Sequence, residues 1–190
     1  MAMWWLRDVP DDARVPTEVR AAWEETRGRL GFLPNVQRLY ALRPRRFLRW
    51  LSHYSEVLRG ESALSPVERE MIAVLVSNLN GCTYCLTSHG GYLRAMTGDP
   101  EIDARLQVDW QSEASTPRLR AILGLAVTLT LDPFGSTPVA LDALRAVGLT
   151  EPEIFDTVET IAMFNFTNRL TSGLGMVPNA EFSTMGRSAR

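Results

Sequence analysis

The chain contains no lysine: all 20 of its basic residues are arginine. That removes Schiff-base chemistry and Walker-type phosphate loops, which both need an ammonium group. Excess charge is missing as well. Twenty-two acidic residues against 20 basic ones leave a formal net charge of −2, so there is no broad basic face for a phosphate backbone and no nucleic-acid partner is expected. The run Arg43, Arg45, Arg46 and Arg49 reads as a solvated helix face. Long apolar stretches are absent too. Met1 to Leu6 is apolar but stops at Arg7 and Asp8, too short for the core of an export signal, and nothing reaches the length of a membrane span. A soluble, cytoplasmic protein with no membrane partner is expected. No G-x-G-x-x-G turn follows a strand, so neither flavin nor nicotinamide is expected, and the chain carries no cofactor in this reading.

What is present is apolar and helical. With 190 residues and 45% hydrophobic content the chain can bury one substantial core, which predicts a single domain over 1–190 with an N-terminal extension (1–16) and a C-terminal tail (177–190). The fold class is all-α. Thr17 to Leu30 and Arg45 to Arg59 are amphipathic and end at Gly31 and Gly60. A shorter helical piece lies at Asn35 to Leu42. Ser65-Pro66-Val67-Glu68 and Thr150-Glu151-Pro152-Glu153 combine a capping hydroxyl, an early proline and a glutamate three residues on, so each opens a helix. Asp99-Pro100, Thr116-Pro117 and Thr137-Pro138 read as further caps with proline in the first helical position. Ala121 to Leu131 reads as a buried helix rather than a strand, and the last dozen residues as frayed. The recurring cap, proline and apolar helix suggests helical hairpins. Trp4, Trp5, Trp23 and Trp50 are available to a core or to a subunit interface.

The two cysteines stand together, in Gly81-Cys-Thr-Tyr-Cys-Leu-Thr-Ser-His89. Steps of three and four residues place Cys82, Cys85 and His89 on one helix face. In a reducing compartment such a pair is more often redox-active or metal-bound than a structural staple. A thiol in the first helical turn faces unpaired amides and the positive end of the macrodipole. The dipole is worth at most about 2 kcal/mol and a pKa unit about 1.4, so His89 is needed as a second stabiliser of a thiolate. Cys82, nearer the helix start, is expected to be the more exposed sulfur. Cys85, beside His89, attacks, and Cys82 resolves by closing a disulfide. Glu70 is either an exposed first-turn acid or, if Gly81 folds the two helices into a hairpin, a proton acceptor facing His89. His53, the second histidine, reads as a packing or polar residue near the core. A zinc-binding or redox-sensing module built from Cys82, Cys85, His89 and either Glu70 or His53 is the alternative from a different class.

With Glu70, then Cys82-x-x-Cys85, then His89, the sequence resembles the alkylhydroperoxidase D branch of the carboxymuconolactone decarboxylase superfamily. Leu64-Ser-Pro-x-Glu-Arg-Glu-Met and Phe164-Asn-Phe-x-Asn-Arg169 are similar to its peroxidase-related group, and the similarity runs from about Thr17 to Met176. The resemblance implies an all-helical fold, a homo-oligomer (dimer, trimer or hexamer), no metal, and thiol-dependent reduction of hydroperoxides in antioxidant defence. It makes Cys85 the peroxidatic cysteine, Cys82 the resolving one, and Glu70 with His89 the proton relay. It also implies an external dithiol reductant, such as a lipoyl-bearing protein. Lactone decarboxylation occurs in the same superfamily but not around this dithiol. Tyr84 stands where many members carry a histidine, and its hydroxyl could donate to a thiolate or a peroxide oxygen but is a poor base.

Overall fold

The computed structural model of the protein describes residues 3–134 and 138–187. Among these there are eleven helices and no strand: α1 (Thr17–Leu30), α2 (Asn35–Tyr40), α3 (Pro44–Arg59), α4 (Pro66–Leu79), α5 (Thr83–Thr97), α6 (Ile102–Val108), α7 (Trp110–Glu113), α8 (Pro117–Leu131), α9 (Pro138–Ala146), α10 (Glu151–Gly173) and α11 (Ala180–Thr184). The all-α expectation holds.

Helix α4 is the hub. It packs against α5, α8 and α10, and every residue from Arg69 to Ser77 is buried. A helix enclosed on all sides has no solvent stripe, which is why this segment is apolar almost throughout. Its start is fixed by the expected capping box, Ser65 Oγ accepting from Glu68 N–H while the Glu68 carboxylate accepts from Ser65 N–H. Thr150 and Glu153 do the same for α10. Between α4 and α5 the chain reverses through Gly81 at φ 62°, a left-handed conformation that suits a residue without Cβ. Cys82 N–H then donates to Ser77 O at 2.9 Å, so the turn delivers Cys82 as the N-cap of α5. Close approach to α5 relies on two further glycines. A Cβ on Gly90 would lie 2.6 Å from the Asp103 carboxylate, and one on Gly91 would lie 2.7 Å from Phe182 O.

Several expectations are corrected. Pro100 is not the first residue of a helix. α6 begins at Ile102 because the Asp99 carboxylate accepts from Glu101 N–H (3.0 Å) and pairs with Arg105 (2.6 Å), closing a local turn instead of a cap. Thr137 lies outside the described residues. The C-terminal segment is not frayed throughout: Phe182 on α11 is 1% exposed, and Arg94 donates to the carbonyls of Phe182 (2.8 Å) and Met185 (3.0 Å). The N-terminal segment is tied to it, Trp5 N–H donating to Leu174 O and Val177 N–H to Met3 O, each at 2.9 Å. Trp23 and Trp50 are core residues whereas Trp5 is exposed. His53 is on the surface, 3.9 Å from Glu159, and not near the core.

Candidate active site

The hairpin of α4 and α5 sets Glu70 opposite His89. Glu70 has no solvent exposure, and His89 Nδ1 lies 2.6 Å from Glu70 Oε2. The other carboxylate oxygen accepts from Arg59 Nη2 at 2.5 Å. Burial alone would push the Glu70 carboxyl up, but the His89 ring and the Arg59 guanidinium outweigh it and hold it below the ordinary carboxylate range. A carboxylate can only accept, so Nδ1 carries the proton between them. The remaining ring nitrogen, Nε2, is 3.2 Å from the Tyr54 hydroxyl, and Phe164 packs edge-on to the ring with centroids 4.6 Å apart. The inward reading of Glu70 is therefore the right one, and the exposed first-turn reading is not.

The two sulfurs share one hydroxyl. Thr171 Oγ1, on α10, is 3.1 Å from Cys82 Sγ and 3.5 Å from Cys85 Sγ, and both cysteines are free thiols. Their order of exposure reverses the expectation. Cys82 is fully enclosed in an apolar cluster with Leu39, Tyr84 and Met176, against which Trp4 and Val9 of the N-terminal segment pack. Cys85, 3% exposed, lines a cavity of about 430 Å³ that Cys82 does not reach. The thiolate is also placed differently. Hydrogen bonding from the Cys85 thiol, then from the Thr171 hydroxyl and the Cys85 backbone, outweighs burial and brings Cys82 down to about 5. The same contact with Cys82, together with burial, pushes Cys85 well above the ordinary thiol range. No hydrogen bond joins His89 to either sulfur among the described residues, since both ring nitrogens are taken by Glu70 and Tyr54. The opposed pKa directions of the two thiols favour the charge on Cys82 and the proton on Cys85.

Tyr84 lies beside the sulfurs, but its hydroxyl accepts from Val36 N–H at 3.0 Å, satisfying an orphan amide in the first turn of α2. Its ring, with those of Trp50, Tyr54, Tyr92 and Phe182, makes the cavity aromatic; Arg59, His89 and Thr171 supply polar groups to the same wall. Among the described residues no group of three His, Cys, Asp or Glu side chains could hold a metal ion, and His53 lies apart on the surface. Sequence reasoning missed Tyr54, Arg59 and Thr171. The first two lie on α3 and the third on α10, and no local motif marks them.

Comparison with known proteins bears on the family and the fold. The profile of the carboxymuconolactone decarboxylase family matches residues 45–126. A peroxidase-related protein with an alkylhydroperoxidase AhpD core from Ralstonia eutropha JMP134 superposes with a TM-score of 0.93 at 30% identity, covering 100% of both chains. A peroxidase-related protein from Silicibacter sp. TM1040 gives 0.92 at 33% identity, covering 98% of this chain and 97% of that one. Bacillus subtilis YdfG is 28% identical over 116 residues, 60% of this chain and 78% of that protein.

Proposed function

From the chain's membership of the carboxymuconolactone decarboxylase superfamily, in its alkylhydroperoxidase D-like branch, we propose that it is a thiol-dependent hydroperoxide reductase acting in antioxidant defence. One observation carries the reading. Two thiols bridged by a single hydroxyl stand at the head of α5, and one of them opens into a cavity that also contains a histidine anchored by a buried glutamate.

The chemistry follows from access. A hydroperoxide entering the cavity meets Cys85, not Cys82, so Cys85 is the attacking sulfur. Its proton passes to the neighbouring Cys82 thiolate. The Cys85 sulfur then takes the distal peroxide oxygen, becoming a sulfenic acid while the leaving oxygen is protonated to an alcohol or water. Cys82 next displaces that oxygen as water and closes the disulfide. An external dithiol, such as a lipoyl group borne on a protein, reopens it. Attack from the cavity falls on Cys85 and expels Cys82, whose low pKa makes it the better leaving thiolate. Tyr84 contributes its ring to the cavity wall and its hydroxyl to the seating of α2.

The protein is expected to work as a homo-oligomer. Phe155 and Phe166, 65% and 50% exposed, fall on one face of α10 and offer apolar surface for self-association. No helix among the described residues is long and apolar enough to cross a membrane, and a reducing cytoplasm suits a dithiol that must be regenerated.

Mass analysis of reduced protein treated with one equivalent of t-butyl hydroperoxide tests the assignment. The wild type loses both thiols to an internal disulfide, Cys82→Ser stops at a sulfenic acid on Cys85, and Cys85→Ser does not react. A Cys85→Ser variant that reacts while Cys82→Ser is inert would reverse the roles of the sulfurs.

A further inference from the structure

Cleavage of a peroxide leaves an alkoxide that must be protonated. The Tyr84 oxygen accepts from the backbone of α2, and among the described residues no hydrogen bond joins Tyr84 to His89 that could resupply a proton. His89 has both ring nitrogens engaged, so any proton it sends to the cavity has to pass through the group on Nε2. That group is Tyr54, which comes from α3, lies 3.2 Å from Nε2 and shares the cavity wall with Cys85. We propose that Tyr54 is the catalytic acid that protonates the leaving oxygen, the terminal member of a Glu70–His89–Tyr54 relay; this rests on the hydroperoxide reductase reading above.

The direction of the relay is set by its anchored end. Arg59 fixes one oxygen of the Glu70 carboxylate and His89 Nδ1–H the other, so the ring cannot turn and Nε2 points at Tyr54. When His89 carries its second proton, Nε2–H donates to the Tyr54 oxygen and frees the phenolic O–H to donate into the cavity. Burial, followed by the Glu70 charge, keeps the phenol protonated far above its ordinary range. Tyr54 therefore gives up its proton only while taking another from Nε2. In the reacting step the Cys85 electron pair forms the S–O bond and the O–O bond breaks onto the leaving oxygen. That oxygen takes the Tyr54 proton, and Tyr54 takes the Nε2 proton. Sulfur is oxidised to a sulfenic acid, the peroxide is reduced to an alcohol, and His89 ends neutral.

The test varies the leaving group. Reduced wild type and Tyr54→Phe are each mixed rapidly with t-butyl hydroperoxide, whose leaving alkoxide needs a proton, and with peracetic acid, whose leaving acetate does not. General acid catalysis contributes about 10²-fold or more, so Tyr54→Phe is expected to lose about 100-fold in oxidation rate with the hydroperoxide while staying close to wild type with the peracid. Equal losses with both oxidants, or no loss with either, overturn the proposal. A wild type inert to both overturns the reductase reading itself. If Tyr54→Phe does not fold, the wild-type solvent isotope effect decides: present with the hydroperoxide and absent with the peracid supports the proposal, and absent with both overturns it.

Discussion

At the scale of single residues, the placement of charge on the dithiol is the feature that function depends on most. Cys82 is enclosed, yet its pKa is lowered because the Cys85 thiol and the Thr171 hydroxyl hydrogen-bond to its sulfur. Thiolate absorbance of the reduced protein is therefore expected to titrate with a midpoint about 5. Cys85→Ala removes the leading hydrogen-bond donor and moves that midpoint up. The fold holds the Cys82 pKa below its unfolded value, so the thiolate's contribution to stability is complete above the ordinary thiol range, ~8.5. It declines as pH falls and is gone below the folded value of about 5. A midpoint near 8 to 9, the range of an unperturbed thiol, would mean that Thr171 and Cys85 do not act on that sulfur. The spacing on two adjacent helices let Glu70 face His89, a choice the sequence left open, and put the two cysteines in one turn, but it did not bring His89 into hydrogen bond with either sulfur. Which sulfur is exposed was not legible in the sequence. It depends on the cluster around Cys82, to which Leu39 and Met176 belong and against which Trp4 packs, all from distant parts of the chain. Tyr54, Arg59 and Thr171 are likewise brought in by tertiary approach alone.

At the scale of elements, the helices that announce themselves chemically were readable and the short ones were not. Hydroxyl, proline and glutamate at fixed offsets mark the starts of α4 and α10, and left-handed glycines mark the ends of α1 and α5. Helices α7 and α11, at four and five residues, are too short to display a period. Helix α11 nevertheless closes one side of the site. Phe182 meets Phe32 and Tyr92 edge-on, with ring centroids 4.9 and 5.3 Å away, and lines the cavity. Phe182→Ala is expected to lower the free energy of unfolding by about 3 to 5 kcal/mol, read by urea denaturation of the reduced protein. A change below about 1 kcal/mol, well short of that range, would mean that α11 is not docked in solution.

For the molecule as a whole, the arrangement divides labour between two sides of α5. One side is sealed, where the N-terminal segment, α2 and the residues after α10 enclose Cys82; the other is an aromatic cavity that meets Cys85, His89 and Tyr54. The overall α-helical architecture could be foreseen from caps and apolar runs. The cavity could not, because its walls come from α1, α2, α3, α5, α10 and α11 together. The account rests on the dithiol's being built to react with peroxides. Its most direct test is a stopped-flow measurement of the second-order rate constant for oxidation of the reduced protein by t-butyl hydroperoxide, compared with free cysteine thiolate under the same conditions. The predicted result is a constant at least about 100-fold above the free thiolate, with two thiols lost per peroxide consumed; a constant equal to that of the free thiolate would contradict it.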